Sequence, residues 1–504
     1  MSTKNWKHND LIERASSEVL PELGVGIVYS SAIEPLILEH PDLFDVLEFE
    51  PQTTWIETPN NSVPFLVRDD VQQHIAQLPG RKLVHSIGVP VGGSVPGHAA
   101  QLPLLRDTVE RLQAPWASEH LSFNLTPDFF TGFFLPPRQT PEGVEVFAQS
   151  ARRLAEALGV PVAIETGVNY LRPRADELPD GTFMNAVAGT AGCGILLDLH
   201  NIYTNQLNGR QTIEQFLSQL PLDRVWEVHL AGGFEMEGYW LDAHSGAIPD
   251  PLLEIAREVI PSLPNLKAIV FEIFSSFISR FGMDEIRGEM EKLRELWSLR
   301  KPSNRVTVRA TSTLPAMNGD QFGPSIWESA LGNVVIGREP KNPLELELSR
   351  DKGTLLVNAL INEFRASMVV AVYRLSSRLM MLALGPDIFR AILQDFWSKT
   401  PPHQYAVTEA EAFAGYIKAK NLRIPQLFKL LEFEQATIAT LTDGQARIVH
   451  FDLDPLPMLR ALAEGHLIEN PGEPGDYEIE VTADGPIRVT GIDPDAVSQT
   501  FPFH

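Results

Sequence analysis

The sequence predicts an α/β protein: a closed (β/α)8 barrel followed by a smaller C-terminal domain of mixed helical and β character. Two observations predict the barrel. Eight strand-like runs alternate with amphipathic helical stretches through the first three hundred residues, and nearly every run from the second onward brings a histidine or a carboxylate to its carboxyl end. A third sets the domain limit, because from about Lys301 the alternation stops and proline and glycine punctuate the chain.

The strand candidates run from Val25 to Ser30, Asp45 to Glu50, Lys82 to Gly88, Trp116 to Phe123, Val160 to Thr166, Gly194 to Asn201, Arg224 to Ala231 and Ala268 to Phe274. Most are apolar and β-branched, as strands buried on both faces are. Between them, apolar residues at helical spacing mark Asp69 to Leu78, Leu104 to Gln113, Pro141 to Leu158, Gln211 to Leu220, Pro251 to Ile260 and Asp284 to Leu299. No Gly-x-Gly-x-x-Gly follows the first run and no Gly-x-x-x-x-Gly-Lys-Ser/Thr occurs, which removes the usual nucleotide-binding fingerprints.

The stretch from Val225 to Pro251 organises the rest. Its strand delivers His229 just before the Gly232-Gly233 break, and the loop beyond carries Asp242 and His244. Other strand ends add Glu48 and Glu50, His85, Glu119 and His120, Glu165, then Asp198 with His200 and Asn201, and Glu272. Taken singly, a strand histidine is usually a hydrogen-bonded core residue and a strand glutamate is paired with a base. Few of these strands carry Arg or Lys near the site, and carboxylates converging in one mouth repel unless cations lie between them. Imidazoles and carboxylates without a thiolate suit iron, manganese or zinc, in a cluster of two or more ions. His200 and Glu119 fit better as residues that orient the ligands.

Composition narrows the function. The 504 residues carry a net charge of −24, which argues against a nucleic-acid partner because that affinity rests on Lys and Arg. With Cys193 the lone cysteine, an internal disulfide, a thiolate zinc finger and an iron–sulfur cluster are excluded. The start, Met1 to Asp10, lacks a signal-peptide core, and the apolar run Ala366 to Leu384 is interrupted by Arg374 and Arg378. A cytoplasmic protein with no membrane partner is expected.

The ordered set His85-Ser-Ile-Gly-Val, Ser118-Glu-His120-Leu-Ser, Ile164-Glu165, Leu196-Leu-Asp198-Leu-His-Asn201-Ile-Tyr, His229-Leu-Ala-Gly, Asp242-Ala-His244 and Phe271-Glu272 resembles the multinuclear non-heme iron-dependent oxidative enzymes, the family that includes the iron enzyme of methanobactin biosynthesis. The resemblance spans roughly residues 20 to 280 and implies a triosephosphate-isomerase-type (TIM) barrel. It implies two or three iron ions of mixed Fe(II)/Fe(III) state, with dioxygen as co-substrate, acting on Cys, Asp or Asn of a ribosomally made precursor peptide. Carried over position by position, His85, His120, Glu165, Asp198, His229, Asp242, His244 and Glu272 fall on metal-ligand positions. Glu165 falls on a bridging position, and Glu165, His244 and Asn201 are the residues expected at the reacting centre. The chain departs from the family at Glu119 (usually Asp), Thr166 (Asn), His200 (Asn) and Gly233 (often His), changes that leave the inferred ligands in place.

Residues 301–344 read as a linker or irregular bridging layer. Beyond it, helices are expected from Leu355 to Ala383, Pro386 to Lys399, Glu409 to Lys420, Ile424 to Thr440 and Asp454 to Gly465. Strands are expected from Ala446 to Leu453, Tyr477 to Thr482 and Pro486 to Thr490. Asn362-Glu-Phe-Arg365-Ala-Ser, Leu384-Gly-Pro-Asp-Ile-Phe389-Arg, Ala391-Ile-Leu-Gln-Asp-Phe396, Pro401-Pro402 and Leu430-Leu-Glu-Phe-Glu434 resemble the partner protein that accompanies these iron enzymes. The resemblance implies a fusion in which residues 345–504 capture the peptide's leader and no separate partner is needed. Two other readings stay open: a divalent-metal barrel isomerase or hydrolase that uses no dioxygen, and a non-catalytic peptide-binding scaffold.

Overall fold

The computed structural model describes residues 20–58, 63–97, 99–301, 322–483 and 488–490. The stretch Met1 to Asp10, residues 302–321 of the expected linker and part of the expected strand Pro486 to Thr490 lie outside the described residues. The chain divides into two compact units.

The first unit comprises the chain up to Trp55, Val67–Val335 and Glu339–Val357. Its strands are β1 Gly24–Val28, β2 Val46–Phe49, β3 Arg81–Ser86, β4 Ala117–His120, β5 Val162–Glu165, β6 Gly194–Asp198, β7 Val225–Ala231 and β8 Ala268–Glu272. They close into a parallel barrel in which each pairs with its neighbours in the chain and β8 returns to β1. Every strand read from sequence overlaps an observed one. The helix Pro141–Leu158 has the bounds its sequence announces: the Thr140 side chain accepts from Gly143 N, Pro141 stands at the first turn, and Gly159 at φ 73° ends it.

Period two explains the barrel interior. Val46, Leu83, Trp116, Ala163, Leu196 and Val270 form an apolar floor, and full burial of such side chains contributes about 1.5–3 kcal/mol each. Two residues further along each strand, on the same side, stand Glu48, His85, Ser118, Glu165, Asp198 and Glu272. The floor is thus covered by a polar layer at the carboxyl ends.

Two expectations are corrected here. The strand read from Gly194 to Asn201 stops at Asp198, whose carboxylate caps the helix Leu199–Leu207 by accepting from Asn201 N at 2.9 Å, so His200 and Asn201 lie on the first helical turn. Residues 324–335, inside the expected linker, form the helix Pro324–Val335 in the first unit. Trp327 Nε1 donates to Pro136 O at 3.0 Å, and Glu328 accepts from Ser94 N at 2.7 Å and Ser94 Oγ at 2.5 Å.

The second unit comprises Ile56–Leu66, Ile336–Arg338 and the chain from Asn358. Its core gathers Phe389, Phe396, Phe413, Leu427, Leu430 and Phe433. A three-stranded antiparallel sheet follows, of β9 Arg447–Leu453, β10 Pro474–Val481 and β11 Arg488–Val489. The stretch read as one helix from Leu355 to Ala383 breaks at Tyr373 into Lys352–Val372 and Arg374–Leu384. Glu434 explains the break: it accepts from Leu375 N at 2.7 Å, Ser376 N at 3.0 Å and Ser376 Oγ at 2.6 Å, satisfying the new amino terminus. Among the described residues one helix, Lys352–Val372, is long and apolar enough to cross a membrane by length and composition. It carries Arg365, which is buried in an ion pair with Glu409 at 2.6 Å.

Candidate metal centre

All eight residues inferred as ligands meet at the carboxyl ends of the strands, in overlapping groups whose nitrogen and oxygen atoms lie within 4.8 Å of one another: His85, His120 and Glu165; Glu165, Asp198 and His229; Asp198, His244 and Glu272; His200, Asp242 and His244; and Glu48, Glu227 and His229. Strand register brings them together, since His120 pairs with Glu165 across β4 and β5 and Asp198 pairs with His229 across β6 and β7. Glu165, Asp198, His229 and His244 each belong to two groups.

Several imidazoles are already oriented. His85 Nδ1 lies 2.8 Å from Ser118 Oγ and His120 Nδ1 lies 3.3 Å from Glu119 Oε1, which leaves both Nε2 atoms facing Glu165 Oε2, at 3.3 and 3.1 Å. Glu119 is engaged on both oxygens, accepting from Ser86 Oγ and Val89 N on one and His120 N on the other. Asn201 Nδ2 donates to Glu165 Oε1 at 3.2 Å and fixes that carboxylate. Thr166 joins β5 to β6 by accepting from Asp198 N at 2.9 Å. His200 uses both nitrogens within the protein: Nδ1 lies 2.9 Å from Asp242 Oδ1 and Nε2 accepts from Trp240 Nε1 at 3.3 Å. It therefore orients Asp242 and has no nitrogen left for a cation.

The remaining atoms test whether a metal fits. Glu165 Oε2, Asp198 Oδ2, both ring nitrogens of His229, His244 Nε2 and Glu272 Oε2 are buried without a hydrogen-bond partner. Buried polar groups are nearly always satisfied, so such a cluster needs an explanation. Yet these atoms crowd one another, with His229 Nδ1 3.1 Å from Glu272 Oε1 and His244 Nε2 2.9 Å from Asp242 Oδ1 and 3.4 Å from Glu272 Oε2. Nitrogen and oxygen ligands sit about 2.0–2.2 Å from a first-row ion, which puts neighbouring ligand atoms about 3 Å apart. Imidazole and carboxylate atoms at that spacing, unaligned for hydrogen bonding, fit a shared cation. His244 also holds a left-handed backbone at φ 44°, a strain found at functional sites.

The electrostatics agree. Burial works against charge on His120, but Glu165 and Glu119 beside it raise it to about 9. Burial likewise opposes charge on His244, and Asp242 and Glu272 outweigh it, raising it to about 10. Burial and then the neighbouring imidazoles hold His85 well below its ordinary value. Burial raises Glu165, Asp198 and Glu50, the last to about 7 with help from Glu272. Asp242 and Glu272 go the other way: burial would raise them, but adjacent histidines pull both well below the carboxylate range.

The sequence reading missed Glu227. It lies two residues before His229 on β7, fully buried, with Oε2 accepting from Trp116 Nε1 at 2.9 Å. The signal was the same period of two that marks the other strands.

The family model described as "RiPP precursor modification enzyme MbnB/TglH/ChrH" matches residues 36–296, just over half of the chain. A UPF0276 protein of Streptomyces avermitilis is 26% identical over 280 residues, covering 54% of this chain and 55% of that protein. One of Chromobacterium violaceum is 33% identical over 177 residues, covering 35% of this chain and 64% of that protein. The chain thus spans less than two thirds of either relative. A crystal structure of D-psicose 3-epimerase in the presence of D-fructose covers 55% of this chain and 97% of its own, at 13% identity and a TM-score of 0.35. On the family match, this chain belongs to the MbnB/TglH/ChrH family of RiPP precursor modification enzymes.

Proposed function

We propose that the chain is an iron- and dioxygen-dependent enzyme that oxidatively modifies a Cys, Asp or Asn side chain in a ribosomally synthesised precursor peptide. The observation that carries this reading is the set of buried, unpartnered nitrogen and oxygen atoms about 3 Å apart in the barrel mouth. Family membership supplies the peptide as substrate class.

In this reading His85, His120, Glu165, Asp198, His229, Asp242, His244 and Glu272 would hold the iron ions. Iron bound there would supply the redox chemistry with dioxygen that no side chain can perform. The chain's own residues place and orient. Asn201 keeps Glu165 Oε2 toward both imidazoles by holding Oε1. His200, held by Trp240, keeps Asp242 beside His244. Phe274, half exposed with its ring 4.6 Å from that of His244, offers an apolar wall for the peptide beside the centre. The second unit recognises the leader, and β9, an edge strand of its three-stranded sheet, suits addition of a peptide strand by backbone hydrogen bonds.

The test is to express the chain with iron, measure metal in the purified protein, and incubate it with dioxygen and each short peptide that sequencing finds encoded near its gene. A mass change in the peptide that requires both iron and dioxygen is expected. Protein that holds no iron and leaves the peptide's mass unchanged would refute the reading.

A further inference from the structure

Glu48 and Glu227 are fully buried carboxylates outside the eight inferred ligands, and with His229 they form a further group close enough to share a cation. Each is held on one side: Glu227 Oε2 accepts from Trp116 Nε1 at 2.9 Å and Glu48 Oε1 accepts from Ser118 Oγ at 3.5 Å. The second oxygen of each has no hydrogen-bond partner and lies beside one atom, His229 Nε2, at 2.9 Å from Glu48 Oε2 and 3.7 Å from Glu227 Oε1. The other ring nitrogen, Nδ1, lies 3.1 Å from Glu272 Oε1, and the second oxygen of Glu272 approaches His244. The imidazole therefore stands between two sets of acids, with Glu48 and Glu227 at Nε2 and Glu272 at Nδ1. A neutral imidazole binds a cation through its bare nitrogen while the other carries the hydrogen, and a carboxylate near that second nitrogen decides which is which.

We infer that Glu48 and Glu227 are positioning residues that keep the hydrogen of His229 on Nε2 and so present Nδ1 to the metal. Ser118 extends the arrangement, since its hydroxyl reaches both Glu48 and His85 Nδ1 and ties the orientation of two ligand histidines to one buried carboxylate. The inference rests on the metal-centre part of the proposed function and not on its dioxygen chemistry.

The experiment compares the full chain with Glu48→Gln and Glu227→Gln. Each is stripped with chelator and titrated without oxygen with Fe(II) and, separately, Mn(II), and the melting temperature of each stripped protein is recorded. Glutamine keeps an acceptor but loses the charge. The expected result is unchanged metal stoichiometry, affinity at one position lowered about 10- to 100-fold, and a stripped protein that melts no lower than wild type because a buried, incompletely partnered carboxylate is gone. Unchanged affinity overturns the inference. So does a loss of affinity matched by a fall in melting temperature, which marks a role in the fold alone, and so does loss of a whole metal equivalent, which makes the pair ligands. If Glu48→Gln does not fold, Glu227→Gln decides, since its amide oxygen can still accept from Trp116. A wild-type chain that binds neither ion defeats the proposed function together with this inference, whereas wild-type binding with indifferent variants defeats the inference alone.

Discussion

Asp198 does two jobs with two oxygens. Oδ1 accepts from Asn201 N and starts a helix, while Oδ2 is buried without a partner among the ligand atoms. Asparagine keeps the first function and abolishes the second, because its amide nitrogen carries hydrogens where a lone pair is required. Asp198→Asn is therefore expected to lose at least one bound metal equivalent with a melting temperature close to that of stripped wild type. Asp198→Ala is expected to lose about 1 kcal/mol of stability as well, through the cap. Elemental analysis after desalting and a thermal melt read both, and full metal content in Asp198→Asn would remove it from the ligand set. The ligand candidates were legible because strand-end position and side-chain type carry the information together. Glu227 was not, because a carboxylate in mid-strand runs against an apolar interior and its side is revealed only by His229 two residues on. His200 was misplaced on a strand because the capping role of Asp198 went unread.

At the scale of elements, the loop after β7 sets the position of Asp242 and His244. Phe234–Met236 and Tyr239–Leu241 form a tight hairpin whose two turn residues, Glu237 and Gly238, both have positive φ, the geometry that matches the twist of paired strands. Gly233 leads into it, and a Cβ there would lie 2.3 Å from Leu241 O, 2.7 Å from Trp240 Nε1 and 2.8 Å from His200 Nε2. The space a side chain would need is filled by the His200–Trp240 pair that orients Asp242. Gly233→Ala is expected to push the hairpin outward, cost about 1–3 kcal/mol as overpacking does, and weaken metal binding through Asp242. A melt and a metal titration check this, and an unchanged melting temperature would contradict it. The barrel was legible because doubly buried strands write unbroken apolar runs between amphipathic helices. The helix Pro324–Val335 was not, because its polar stripe is only Ser325, Ser329 and Asn333, short and uncharged, in a stretch that proline and glycine otherwise mark as irregular. The break at Tyr373 was hidden because the group that caps the new helix, Glu434, lies far along the chain.

For the molecule as a whole, protons and metal ions compete for one set of atoms. His120, raised to about 9, and His244, raised to about 10, keep protons that unfolded imidazoles release near pH 6.5. Their stabilising effect is complete below that value and lost as pH rises through 9 and 10. Glu50, raised to about 7, and Glu48, Glu165 and Asp198, raised chiefly by burial, also bind protons more tightly when folded, so alkali costs the fold again. Asp242 and Glu272 are held far below the carboxylate range and His85 well below the imidazole range, so none of the three changes charge in the folded state between pH 7 and 9. The chelated protein is therefore expected to melt lower at pH 9 than at pH 7, by on the order of 2 °C for each kcal/mol lost. Saturating metal should remove most of that difference, because cations replace the protons and neutralise the acids. Metal binding at pH 7 should in turn release protons, seen as a binding heat that depends on the ionisation enthalpy of the buffer, and affinity should rise with pH up to about 9. Equal melting temperatures at the two pH values, or a binding heat indifferent to buffer, would mean that the acids and imidazoles of the mouth are not the groups the metal occupies.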